Sequence, residues 1–164
     1  MIQSKNLFVI AAGQPDNSSS IINELKRPLS RQGITDVLTL LEDLKEHPIV
    51  LPELILCSPC LYVKQTLDLL HEVLDGVDVV YKDALYAAPD YRILDMIKSL
   101  DDIFSSVMIV GELPGLREFV SYLSKGKRGN WLRPATGVQL VLKKGETWHT
   151  CQMGTAHCWS LIKD

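Results

Sequence analysis

The sequence predicts an α/β fold: a mostly parallel β-sheet covered by helices on both faces, with an antiparallel addition at one edge. Three observations point there. Short runs of branched and aromatic apolar residues alternate along the chain with stretches of helical periodicity. That alternation requires crossovers over a parallel sheet, whose strands then read as nearly continuous apolar runs. The chain has 164 residues, 46% of them apolar and 23% charged, a size and composition suited to one domain (1–164) with a real core.

The elements follow in order. "LFVIA" (7–11) is the first strand, ended by Gly13 and Pro15. "SRQGITDVLTLLEDLKEH" places Ile34, Val37, Leu38, Leu41 and Leu44 on one helical stripe. His47-Pro48 closes that helix, because the residue before proline avoids the helical region. "ELILC" (53–57) is the second strand, and "PCLYVKQTLDLLHEVL" the next helix, with Leu61, Leu67, Leu70 and Leu74 as its apolar positions. "VDVVY" (77–81) is the third strand. "PDYRILDMIKSL" has Asp90 as N-cap and Ile93, Leu94 and Ile97 as its apolar face. "VMIVG" (107–111) is the fourth strand, and "LPGLREFVSYLSKG" a helix with Pro114 near its first turn and Gly126 near its end. "GVQLVLK" (137–143) and "HCWSLI" (157–162) close the chain with strand signals and no long helix between them, which predicts the antiparallel edge.

Composition excludes several functions. Net charge is −3, and the densest basic stretch, "SKGKRGNWLR" with Lys125, Lys127, Arg128 and Arg133, reads as a solvated loop, not a nucleic-acid footprint. No apolar run is long enough to span a bilayer, and the N-terminus lacks the pattern of a signal peptide, so a cytoplasmic, non-membrane protein is expected. The cysteines form two pairs in sequence, Cys57 with Cys60 and Cys151 with Cys158, which in such a chain are not a disulfide framework. Cys57 and Cys60 bracket a proline between a strand and a helix, so a thiol redox site is a rival reading. In "WHTCQMGTAHCW", His149, Cys151, His157 and Cys158 lie close in sequence. Their spacing is not a standard zinc pattern, and a hairpin with buried cysteines is expected there, with no metal and no cofactor.

Four loops carry the remaining chemistry: "AAGQPD", "KRPLSRQG", "CSPC" and "GELPG". In α/β sheets such loops meet outside the carboxyl ends of the strands, where ligands bind. The last two each feed a helix N-terminus, where free N–H groups favour anions. Arg27, just before Pro28, reads from spacing alone as a surface arginine, with a two-pronged phosphate clamp as the rival reading.

Taken together these segments resemble the SixA-type phosphohistidine phosphatases, a branch of the histidine phosphatase (phosphoglycerate mutase-like) superfamily. "RPLSRQG" is similar to that family's Arg-Pro-Leu-Thr-x-x-Gly stretch, and "LCSPCLYVKQTLDLL" to its Ser-Pro turn and Arg-x-x-Gln-Thr helix. "ALYAAPDYRILDMIKSL" resembles its Leu-Tyr segment, and "VMIVGELPGLREFVSYL" its Val-Gly-His-Asn-Pro-Gly-Leu stretch. "RPATGVQLVL", followed by Trp148, is similar to its Pro-Thr-Gly strand and tryptophan. The resemblance implies a three-layer α/β/α sandwich. It also implies a reaction in which a histidine ending the first strand takes the phosphoryl group while a second histidine and arginines bind it.

Carried over residue by residue, that chemistry is mostly missing. The family's Arg-His-Gly falls on Ala11, Ala12 and Gly13, so the nucleophile position holds Ala12. Arg27 matches the arginine of Arg-Pro-Leu, the helix arginine falls on Tyr62, and the second histidine falls on Glu112. The pocket is therefore expected from Gly13, Arg27, Ser58, Tyr62 and Glu112, with no catalytic residue and with Arg27 and Glu112 facing each other as an ion pair. Lys64 does not replace the helix arginine, since two residues on is about 200° around the axis. A pseudophosphatase with a binding or regulatory role follows, its partner a phosphorylated or signalling protein and the chain itself a monomer. An altered phosphatase with another nucleophile is the alternative.

Overall fold

The computed structural model describes residues 3–18 and 23–161. Six strands form one sheet in the order β3-β2-β4-β1-β5-β6. They are β1 (Asn6–Ala11), β2 (Leu54–Cys57), β3 (Asp78–Tyr81), β4 (Ser106–Gly111), β5 (Gly137–Leu142) and β6 (Ala156–Ser160). β1 to β4 run parallel, β5 runs antiparallel to β1, and β6 antiparallel to β5. The mostly parallel sheet with an antiparallel edge is thus as expected; Ile162, expected in the last strand, lies outside the described residues.

The helices are α1 (Arg31–Glu46), α2 (Leu61–Leu69), α3 (His71–Leu74), α4 (Asp90–Lys98) and α5 (Gly115–Ser124). They cover both faces. Leu7, Val9 and Ala11 of β1 point to one face and join the core made with α4, α5 and Trp148. Phe8, Ile10 and Ala12 point to the other and join the core under α1, α2 and α3. Residues of β4, the strand between β1 and β2, are buried along its whole length, which is why its sequence does not alternate. Trp148, fully buried, donates its indole N–H to the Phe104 carbonyl at 2.9 Å and lies under the Lys5 ammonium at 5.7 Å.

Several local expectations are corrected. Ile34 and Leu38 are exposed, while Gly33 and Leu40 take the buried stripe of α1 with Val37, Leu41 and Leu44. Gly33 is needed there because a Cβ would overlap the Gln14 carbonyl. The helix expected over 59–74 breaks after Leu69, with Leu70 turning the chain into α3. Asp90 does not cap α4: it is the first helical residue, Pro89 precedes it as cap, and the Asp90 carboxylate accepts from the Tyr91 N–H. His149 and Cys151 do not lie on a strand. They belong to the connection from β5 to β6, His149 exposed in a 3₁₀ turn and Cys151 buried just after it.

Candidate functional site

The carboxyl ends of three neighbouring strands, β2, β4 and β1, deliver Ser58, Glu112 and Ala12 to one place. Backbone bonds tie these loop starts together. Ala12 N–H donates to the Gly111 carbonyl at 2.9 Å, and Ser58 N–H to the Val110 carbonyl at 3.0 Å. This is the crevice in which open α/β sheets bind ligands. Ala12 ends there in a buried methyl group, which belongs to the apolar cluster that also holds Cys60 and Val63.

Glu112 is the centre of the polar contacts. Its Oε1 accepts the Ser58 hydroxyl at 2.5 Å, the Cys60 thiol at 3.5 Å and the Ala87 N–H at 3.4 Å. Tyr62 turns its phenol toward the same carboxylate, and burial first, then the Glu112 charge, holds that phenol above its ordinary pKa. The positions expected to form the pocket therefore do meet, in the case of Ser58, Tyr62 and Glu112. The carboxylate has taken up the donors around it.

Arg27 does not pair with Glu112. Its guanidinium grips Glu24 in a two-pronged contact, Nη2 to Oε1 at 2.7 Å and Nε to Oε2 at 3.1 Å, and donates from Nη1 to the Asp16 carbonyl at 2.7 Å. The physical reason is local. Glu24 lies one short 3₁₀ turn before Arg27, so the pair forms within a single segment. Glu24 holds the guanidinium pKa above its ordinary value, and Arg27 holds that of Glu24 below.

Gly13 is placed at the site but its N–H is taken, donating to the Thr66 hydroxyl at 3.1 Å, so it offers no free donor to an anion. Thr66 and its neighbour Gln65, whose amide oxygen accepts the Leu29 N–H at 2.8 Å, stitch α2 to both loops. Neither was singled out from the sequence as a site residue, nor was Glu24 or Ala87. The Gln-Thr pair was visible in the resemblance, and its role is scaffolding.

Cys57 and Cys60 are both buried free thiols. Burial pushes each up to about 12, and the Glu112 charge adds to this most at Cys60. A thiol-redox nucleophile needs the opposite shift. Lys64 faces away from the site, as its spacing requires, with its ammonium 5.0 Å over the Tyr81 ring. Among the described residues no group of three histidine, cysteine or acidic side chains stands close enough to hold a metal. No helix among them is long and apolar enough to cross a membrane.

Beside Glu112 lies an opening of about 250 Å³, lined by Ala87, Ala88, Pro89, Glu112, Gly115 and Glu118 among others. Its charged lining groups are both acidic. Such an opening repels a phosphoryl group: at an effective dielectric near 20, like unit charges 4 Å apart cost about 4 kcal/mol.

No family model and no curated protein matches the chain by sequence. Solved structures match it closely in fold. A protein assigned as the phosphohistidine phosphatase SixA from Nakamurella multipartitia superposes with a TM-score of 0.75 at 18% identity, covering 96% of this chain and 93% of its own. One assigned likewise from Agrobacterium tumefaciens gives 0.76 at 17%, covering 87% and 96%. One assigned as an alpha-ribazole-5'-P phosphatase from Escherichia coli gives 0.68 at 15%, covering 98% and 97%. The chain therefore has the histidine phosphatase, phosphoglycerate mutase-like fold.

Proposed function

We propose that this chain is a SixA-like pseudophosphatase: it keeps the fold, has lost phosphohistidine hydrolysis, and acts by binding or regulation. The observation that carries this reading is Glu112. At the position where the resemblance puts a phosphate-binding histidine stands a carboxylate held by Ser58, Cys60 and Ala87. Two further facts support it. The nucleophile position is an alanine, and the surviving phosphate-handling arginine is occupied by Glu24. Loss of a catalytic nucleophile removes on the order of 10⁴- to 10⁶-fold in rate. The partner would be a phosphorylated or signalling protein. The place of action would be the cytoplasm.

The test is hydrolysis of phosphohistidine followed by ³¹P NMR, with the natural chain beside an Ala12→His, Glu112→His variant. The natural chain is expected to run at the buffer rate and to bind no tungstate, the anion held by a solved SixA neighbour. Turnover proportional to protein concentration would overturn the reading. The altered-phosphatase alternative draws on the Ser58–Glu112 contact, a hydroxyl bonded to a base. Against it, Ser58 is fully buried. Turnover abolished by Ser58→Ala would establish that alternative.

A further inference from the structure

We propose that the groove between α4 and the β2–β3 face of the sheet binds a single-chain, medium-length carboxylate, its head between Lys82 and Arg92 and its chain along an apolar floor. The groove encloses about 440 Å³ and shares no lining residue with the opening beside Glu112. It is a different place in the fold, so the proposal holds whether or not the site hydrolyses phosphohistidine. The floor is apolar because side chains alternate along a strand. Leu54 and Leu56 of β2 share one face, and Leu56 pairs with Val80 of β3. Met96 of α4 and Leu100, just past its end, close the other side. Val80 is 38% exposed on this floor, apolar surface that a ligand chain would take from water.

The two ends of the groove differ. Lys82 follows the last residue of β3, and Arg92 lies in the first turn of α4. β3 and β4 both run parallel to β2, so the helix that joins them runs back against the strands. Lys82 and Arg92 therefore stand at the carboxyl end of the sheet, and Leu54 and Leu100 at the other. Neither cation has an ion-pair partner among the described residues. From Lys82 back to Asp78, the residue level with Leu54, the strand rises about 13 Å. An extended chain of about eight carbons, at about 1.3 Å each, fits that length.

A cationic end and an apolar remainder are the complement of an anion carrying one apolar chain. Mostly apolar walls with a few polar groups that fix orientation are the ordinary make-up of a small-molecule site. Asp95 is the one acidic lining group. It stands three residues after Arg92, on the same side of α4, and it too has no ion-pair partner among the described residues. It opposes an anion, but two cations outweigh it. Its removal should tighten binding, whereas removal of either cation should loosen it.

A ¹H–¹⁵N NMR titration of the whole chain with octanoate in low-salt buffer tests this, beside octan-1-ol and octylamine. Octanoate is expected to move the signals of Val80, Lys82, Arg92 and Met96 and to bind most tightly, with octylamine weakest. Each methylene added from hexanoate to octanoate should tighten binding by up to about fourfold. Lys82→Gln and Arg92→Gln should each weaken octanoate by roughly two- to fivefold and leave octan-1-ol unchanged, since the heads sit near water. Asp95→Asn should strengthen octanoate by a similar factor. Thermal melting checks that the variants stay folded. Signals that move elsewhere, octylamine bound as tightly as octanoate, or cation variants that keep the octanoate affinity overturn the proposal. So does a natural chain that takes up no octanoate, including one whose groove is covered by a second copy, which sedimentation velocity would show as a dimer.

Discussion

Removing Ser58 and Glu112 singly and together measures how firmly the site is built. Ser58 is fully buried, and its hydroxyl donates to Glu112 Oε1 at 2.5 Å. A hydrogen bond to a charged acceptor contributes roughly 1.5–3 kcal/mol. Ser58→Ala deletes that donor and leaves Oε1 the longer contacts from Cys60 at 3.5 Å and Ala87 at 3.4 Å, so a cost of about 1–2 kcal/mol is expected. Glu112→Ala leaves the buried hydroxyl without an acceptor, since its other contact is the Cys60 N–H donating to it at 3.4 Å. That orphaning costs about 1–3 kcal/mol. The double variant removes both partners and so loses less than the sum, by an interaction energy of about 1–2 kcal/mol. The assay is urea unfolding of the natural chain and the three variants, comparing midpoints at equal slope. Losses that add to within about 0.3 kcal/mol would show that the two side chains do not share this bond. The reading of Glu112 as a fixed occupant of the site would then fall.

Two further outcomes follow from burial. Cys57, Cys60 and Cys151 are each pushed up to about 12 from an ordinary 9.0. A raised folded-state pKa stabilises fully below the ordinary value and loses that stabilisation as pH climbs through the window from 9 toward 12. Melting temperature should therefore fall across that window. In mildly alkaline buffer a thiol reagent should leave these three unreacted until the chain is unfolded; reaction of Cys57 or Cys60 in the native chain would restore the redox reading. Gly115→Ala sets a Cβ into the Ala88 carbonyl, a backbone group that cannot swing aside, and should cost at least about 2 kcal/mol in urea unfolding. A variant as stable as the natural chain would refute the close approach of α5 to that loop.

The central strands were legible in the sequence because burial on both faces demands continuous apolar runs, and "LFVIA" and "VMIVG" have no other use. Expected and observed boundaries of β1 and β4 agree to within one residue. Helix faces were less legible. In α1 both Leu38 and Leu40 satisfy an apolar pattern; which one turns inward depends on how the sheet beneath it is placed, and Leu40 is the buried one. The break between α2 and α3 carries no proline or glycine, so no local signal marks it.

At the site, the sequence by itself determined which side chains stand at each position. No arrangement in space makes Ala12 a nucleophile, or Glu112 and Tyr62 cations. Only the tertiary structure decided what the remaining groups do. Arg27 and Glu112 are opposite charges in one pocket, and a pairing between them was reasonable on charge alone. Ionic contacts, however, go to the nearest well-oriented partner. For Arg27 that is Glu24, three residues before it; for Glu112 it is a set of donors from Ser58, Cys60 and Ala87, which only the sheet order β2-β4-β1 brings together. Residue identity limits the reactions a site can perform, whereas partnership depends on distance and direction, which the folded chain alone supplies.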